Sequence, residues 1–185
     1  MKRIACLLLL AASCSSEPAR NADTEQVRKA FETWVSWAVA GDGEKVFSGF
    51  SDAYKSNWLY ERMEAGDQQA RRWRGDLTGR ARTELDLWFG VAKKRGNGRE
   101  EGLPASVLQE PSLALLFKTY FALEAGYVRS QLSRITISQV FADASGVTVA
   151  IKNGQNTTEL YGMVNAPDGW KIDNYRQPLN SGALR

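Results

Sequence analysis

Along the first half of the chain apolar residues recur every three or four positions. Val27, Ala30, Phe31, Trp34, Val35 and Ala38 fall on one face of a helix at 3.6 residues per turn. Asp23 stands where an N-cap belongs, with Gln26 three residues on in capping-box relation, and Gly41 supplies the C′ position. The stretch GDGEKVFSGFSDAYKSNWLYERM predicts a short helix, a turn and another helix carrying Phe47, Phe50, Tyr54 and Trp58. Residues 66–95 predict one or two amphipathic helices anchored by Trp73, Leu77, Leu85, Leu87, Trp88, Phe89 and Val91. The run KKRGNGREEGLP (93–104) is glycine-rich, charged and closed by proline, which predicts an exposed loop. Helix resumes over 105–131, with Pro111 in the first turn of a second segment. Leu115, Leu116, Tyr120, Leu123 and Tyr127 are its expected buried side.

After Ser133 the period falls to two. Ile135, Ile137 and Phe141 alternate with Thr136 and Ser138, and Val147, Val149 and Ile151 with Thr148, Ala150 and Lys152. DASG is the turn between them, and Asn153-Gly154 is a strong hairpin signal. A third strand is expected over 157–165. Pro167-Asp168-Gly169 turns the chain, and Trp170 opens the last strand with Ile172 on the same face. Four consecutive strands joined by tight turns make an antiparallel meander. Helices first and sheet last define an α+β class, with N-terminal helices packed on a C-terminal four-stranded antiparallel meander.

The extreme N-terminus follows another logic. Lys2 and Arg3 precede an unbroken apolar run from Ile4 to Ala12, too short for the roughly 20 residues that span a bilayer and suited to an export signal. Small residues lead directly into Cys14. Leu10-Ala11-Ala12-Ser13-Cys14 resembles the lipobox of bacterial lipoproteins, with Ala11 where leucine is commoner. That resemblance implies a signal peptide at 1–13, acylation of Cys14 and a membrane-anchored product, because stable anchoring takes more than one acyl chain. Ser15 and Ser16, with no aspartate after the cysteine, resemble the pattern sorted to the periplasmic face of the outer membrane in a diderm. The expected organisation is then a tether at 14–22, one domain at 23–178 and a tail at 179–185.

Composition narrows this further. The two cysteines are Cys6 and Cys14, so the domain has no disulfide and no thiolate metal site. About 160 residues beyond the tether suffice for one unstapled core. The formal charge of +3 includes Lys2 and Arg3, so the processed chain is close to neutral and gives no support to nucleic-acid binding.

A long opening helix, then AVAGDGEKVFSGFSDAY, and a closing meander ending DGWKIDNY resemble the nuclear transport factor 2-like superfamily over residues 24–60 and 134–176. The resemblance implies a sheet curled around helices into a cone with a pocket inside. The stretch 61–133 departs from it, being longer and more helical than the usual family middle.

The chain has no histidine, which removes Ser-His-Asp and Cys-His catalysis, imidazole metal sites and the histidine-dependent dehydratases of that superfamily. A histidine-free route is the ketosteroid isomerase arrangement of an aspartate base with a tyrosine-containing oxyanion hole. Asp52, Tyr54, Tyr120 and Asp173 are the residues that could be proposed for it, and none matches a family motif. Trp34, Trp37, Tyr54, Trp58 and Tyr120 are candidates for lining a ligand pocket. Arg71, Arg72, Arg74, Arg80 and Arg82 belong to a basic run, extended by Lys93, Lys94, Arg95 and Arg99, that could meet anionic lipid or an acidic partner. The expectation is a non-catalytic binding or interaction module of the bacterial envelope, without cofactor or metal. Its partners would be the bilayer through Cys14 and an envelope protein or small apolar ligand. The alternatives are a histidine-free isomerase- or dehydratase-like enzyme and a toxin-neutralising lipoprotein.

Overall fold

The opening 3.6-residue periodicity folds as expected in the computed structural model, which describes residues 24–143 and 146–176. Helix α1 (Thr24–Ala40) buries Val27, Phe31, Trp34 and Ala38, and Gly41 leaves it with a left-handed φ of 79°. Asp42 caps α2 (Gly43–Ser48) by accepting the Lys45 N–H, and Ser51 caps α3 (Asp52–Glu64) by accepting the Tyr54 N–H at 3.0 Å. The expected signal peptide, Cys14, the expected tether, Asp23 as expected cap, the expected tail at 179–185 and part of the DASG turn lie outside the described residues.

The middle resolves into α4 (Gln68–Asp76), α5 (Gly79–Arg95), α6 (Gly98–Glu101) and α7 (Ala105–Leu108), followed by the long α8 (Pro111–Leu132) with proline in its first turn. Three expectations are corrected here. The stretch 93–104 is not one continuous exposed loop: residues 93–96, 99 and 100 are exposed, but 93–95 close α5, 98–101 form α6, Gly98 and Leu103 are buried, and the Leu103 N–H donates to Ser56 Oγ at 2.7 Å. Glycine is required at position 98, because a Cβ there would lie 2.3 Å from Tyr60 Cβ. The buried face of α8 is made by Leu113, Leu116, Phe117, Phe121 and Leu132, while Leu115, Leu123 and Tyr127 are exposed. Likewise on α5 the anchors are Ala81, Leu85, Trp88 and Ala92, and Leu87 and Val91 face out. Both helices carry apolar residues on more than one face, so periodicity alone selects no single stripe.

The sheet is a plain meander, β1 (Thr136–Asp143), β2 (Gly146–Lys152), β3 (Thr158–Ala166) and β4 (Gly169–Arg176), antiparallel throughout in the order β1-β2-β3-β4. Pro167 and Asp168 form a two-residue turn closed by Ala166 pairing with Gly169, whose φ is 117°. The Asn153-Gly154 hairpin is longer than a two-residue turn. Asn153 N–H donates to Thr157 O, and its Oδ1 accepts from the N–H groups of Gln155 and Thr157.

A register shift between Gly162 and Met163 bulges β4 at Asp173. It sets Ile172 opposite Met163 and Tyr175 opposite Tyr161, so two residues three apart share one face. Gly162 admits the Asn174 side chain, which occupies the space a Cβ would need. The edge of β4 then meets the helices: Ile172 N–H donates to Gly49 O at 2.9 Å, and Ser51 N–H to Ile172 O at 2.8 Å.

Two glycine substitutions separate packing from propensity. Gly98→Ala meets Tyr60 Cβ and the Ser56 carbonyl and should cost about 1–3 kcal/mol. Gly90→Ala, in the exposed interior of α5 with open space around it, should stabilise by about 0.5–1 kcal/mol. Urea unfolding of both variants checks the opposite signs.

Candidate functional site

A cavity of about 380 Å³ opens between the sheet and the helices, within the size range of small-molecule sites. Trp34 comes from α1, Tyr54, Trp58, Glu61 and Arg62 from α3, and Phe117, Phe121, Glu124 and Tyr127 from α8. Glu159 and Tyr161 of β3 form its sheet wall with Ile172 and Tyr175 of β4. Tyr54, Trp58, Glu61 and Tyr175 also line an adjoining chamber of about 260 Å³ that reaches Arg99 and Asp173. None of the residues lining the larger cavity lies between 63 and 116, so the additional helices pack outside it.

The wall is a run of ring-to-ring contacts. Tyr161 lies 5.0 Å from both Phe31 and Tyr175 between centroids and 5.9 Å from Trp34. Phe50 stacks on Tyr54 at 4.1 Å, and Trp58 meets Phe117 edge-on at 5.2 Å. Trp34 is held by its Nε1–H on the Val46 carbonyl at 3.3 Å and by the absence of a side chain at Gly49, where a Cβ would approach Trp34 Cδ1 to 2.5 Å.

Of the charged residues that line this wall, one is buried. Glu159 is only 8% exposed. Its carboxylate accepts the Asn153 Nδ2–H at 2.6 Å and the Tyr161 O–H at 3.0 Å, one donor on each oxygen. The cause is strand parity, since Glu159 shares a face with Tyr161 and Met163. Burial first, and the neighbouring Glu159 second, push the Tyr161 phenol far above its ordinary value, so it holds its proton and acts as donor. Burial also raises Tyr54, with the carboxylates of Glu61 and Glu124 adding to the shift.

The residues singled out from sequence separate. Trp34, Tyr54 and Trp58 line the cavity together. Trp37 is half-buried beside the core and Tyr120 donates to Asp67 while packing on Trp58; neither lines the cavity. Burial and that hydrogen bond push Tyr120 up to about 12, and the same bond holds Asp67 below its ordinary value. Asp52 points outward to Lys55. Asp173 accepts from Ser51 Oγ at 2.6 Å and from the Arg99 guanidinium, a structural clamp between β4, α3 and α6. Of the basic run, Arg74 and Arg82 pair with Asp86 at 2.7 and 3.1 Å and Arg80 with Glu84 at 2.5 Å, while Arg71 and Arg72 are exposed. Glu159 and Tyr161 escaped the sequence reading; their common parity with Met163 in TELYGM was the available signal.

Among the described residues no group of three or more His, Cys, Asp or Glu is placed to hold a metal, and no helix is long and apolar enough to cross a membrane. Comparison with family models, with curated proteins and with solved structures returns no match. What the geometry defines is an α+β domain of helices followed by a four-stranded antiparallel sheet, with an aromatic-walled cavity between them.

The three raised tyrosines give a pH dependence with a definite sign. Above pH about 10 an unfolded chain loses phenolic protons that Tyr54, Tyr120 and Tyr161 retain when folded. The unfolded state then binds fewer protons, so stability falls as pH rises past that point and is unaffected by these groups below it. Thermal melts across that range should show the decline, with a shallower slope in Tyr161→Phe.

Proposed function

We propose that this chain is a bacterial envelope lipoprotein, anchored through an acylated Cys14, whose domain is a nuclear transport factor 2-like cone that binds a small molecule with an apolar body. The observation that carries the binding reading is the cavity of about 380 Å³ walled by aromatic rings from α1, α3, α8 and the sheet. An open cleft of this size leaves apolar ring surface against water, and an apolar guest would cover it. The anchoring half rests on the lipobox-like sequence ending at Cys14.

One contact favours a second reading. Tyr161 donates to Glu159 inside the same cavity, and an oriented carboxylate beside a phenol can take a proton from a bound carbon acid without histidine. In that reading Glu159 is the base, in place of Asp52 or Asp173, whose carboxylates are engaged elsewhere.

Native mass spectrometry of the mildly extracted protein tests anchoring and binding together. The expected spectrum shows a chain beginning at a lipid-modified Cys14 and carrying one bound small molecule; an unmodified, empty chain overturns the proposal. For the second reading, purified protein is assayed for isomerisation of a β,γ-unsaturated ketone. Turnover that disappears in Glu159→Gln would replace binding with catalysis, and no turnover leaves the binding reading in place.

A further inference from the structure

The cavity is asymmetric in charge. Three carboxylates, Glu61, Glu124 and Glu159, face it against the single guanidinium of Arg62. The Arg62 guanidinium lies over the Tyr120 ring at 4.9 Å, and its charge acts on Asp67. None of the ion pairs among the described residues includes any of the three glutamates. Glu159 is the decisive member. A buried carboxylate is ordinarily compensated by an opposite charge. Here its two partners, Asn153 and Tyr161, are neutral donors. They use about two of the four lone-pair sites a carboxylate offers, so it can still accept from a guest.

Around it stand the groups that attract cations by their ring faces. The rings of Tyr161, Trp34, Tyr175, Tyr54 and Trp58 line the same cavity as the carboxylate, with Trp34 and Tyr175 both in ring contact with Tyr161. An aromatic enclosure with excess negative charge favours an ammonium group and repels a carboxylate or phosphate. Tyr127 lines the cavity while 68% exposed, so an aromatic side chain stands at its solvent edge.

We propose that the cavity selects organic cations: a molecule with an apolar body and an amine or quaternary ammonium head, the head seated between Glu159 and the surrounding rings. Glu61 and Glu124, exposed at the mouth, draw the cation in. The apolar body lies along Phe117 and Phe121 toward the rim. This inference rests on the binding reading above and adds the charge of the guest.

Three probes of equal chain length separate charge from shape: decyltrimethylammonium, decanol and decanoate, each titrated calorimetrically into the full chain below its micelle concentration. Decyltrimethylammonium should bind at least about tenfold more tightly than decanol, the size of one desolvated cation contact, and decanoate most weakly. Glu159→Gln should remove most of that preference, bringing decyltrimethylammonium affinity toward that of decanol. Should that variant fail to fold, the double variant Glu61→Gln and Glu124→Gln, at exposed positions, should reduce the preference severalfold. Added salt should reduce the part due to these two glutamates more than that due to buried Glu159. Equal affinity for all three probes, unchanged in both variants, overturns charge selection and leaves binding standing. Absence of binding by any probe overturns both.

Discussion

The helical half and the sheet are joined by a seam of two backbone hydrogen bonds, Ile172 N–H to Gly49 O and Ser51 N–H to Ile172 O. Everything at the cavity is positioned from that seam. Ser51 is at once the partner of β4 and the N-cap of α3, so the strand sets where α3 starts and where Tyr54 and Trp58 project. Phe50, held between the two bonds, carries Tyr54 by stacking and touches Trp34 across the core. The bulge at Asp173 completes the seam: its carboxylate takes the Ser51 hydroxyl and the Arg99 guanidinium, and the irregular residue puts Tyr175 on the cavity side of β4 beside Tyr161. One local irregularity in a strand thus supplies both the clamp and a wall of the cavity.

The buried carboxylate is organised from the opposite end of the sheet. Asn153 uses its Oδ1 to close the hairpin loop onto Gln155 and Thr157, and its Nδ2 to reach both Gln131 of α8 and Glu159 of β3. The loop therefore does more than reverse the chain; it fixes a donor that holds Glu159 in place and ties the strand to the C-terminal turns of α8. Leaving such groups without partners in an apolar setting would cost about 1–3 kcal/mol each, which explains why the network is closed around the carboxylate on the protein side. Glu159 itself lines the cavity.

The helical middle serves a different purpose. Its charges pair locally, Arg74 and Arg82 on Asp86, Arg80 on Glu84, and Arg95 on Glu101. Its apolar side is consumed against α3 and α8, through Trp73, whose indole N–H reaches Ser112, and through Leu85, Trp88 and Leu103 in the same buried cluster. These helices thicken the shell behind the cavity without entering it. They brace the back of α3, so the tyrosine and tryptophan on its front are held from both sides.

Element types and their order were legible in the sequence, because a 3.6-residue period, a two-residue period and turn chemistry are local properties of the chain. The α+β class, the meander, the Pro167-Asp168 turn and the buried stripe of α1 all follow from such signals, as do Trp34, Tyr54 and Trp58 as aromatic candidates on helices. Which face α8 buries was not legible, since Leu115, Leu123 and Tyr127 compete with Leu113, Phe117 and Phe121 in the pattern, and only the neighbours that α8 meets decide between them. The two buried positions within 93–104 were hidden for a related reason: glycine reads as flexibility locally, yet Gly98 is there to let Tyr60 approach. The pairing of Glu159 with Tyr161 and Asn153 at the floor of a cavity was likewise decided in three dimensions. A charged residue in a strand reads as solvent-facing, and it takes the strand's register, the β4 bulge and the helices above to turn that position into the interior.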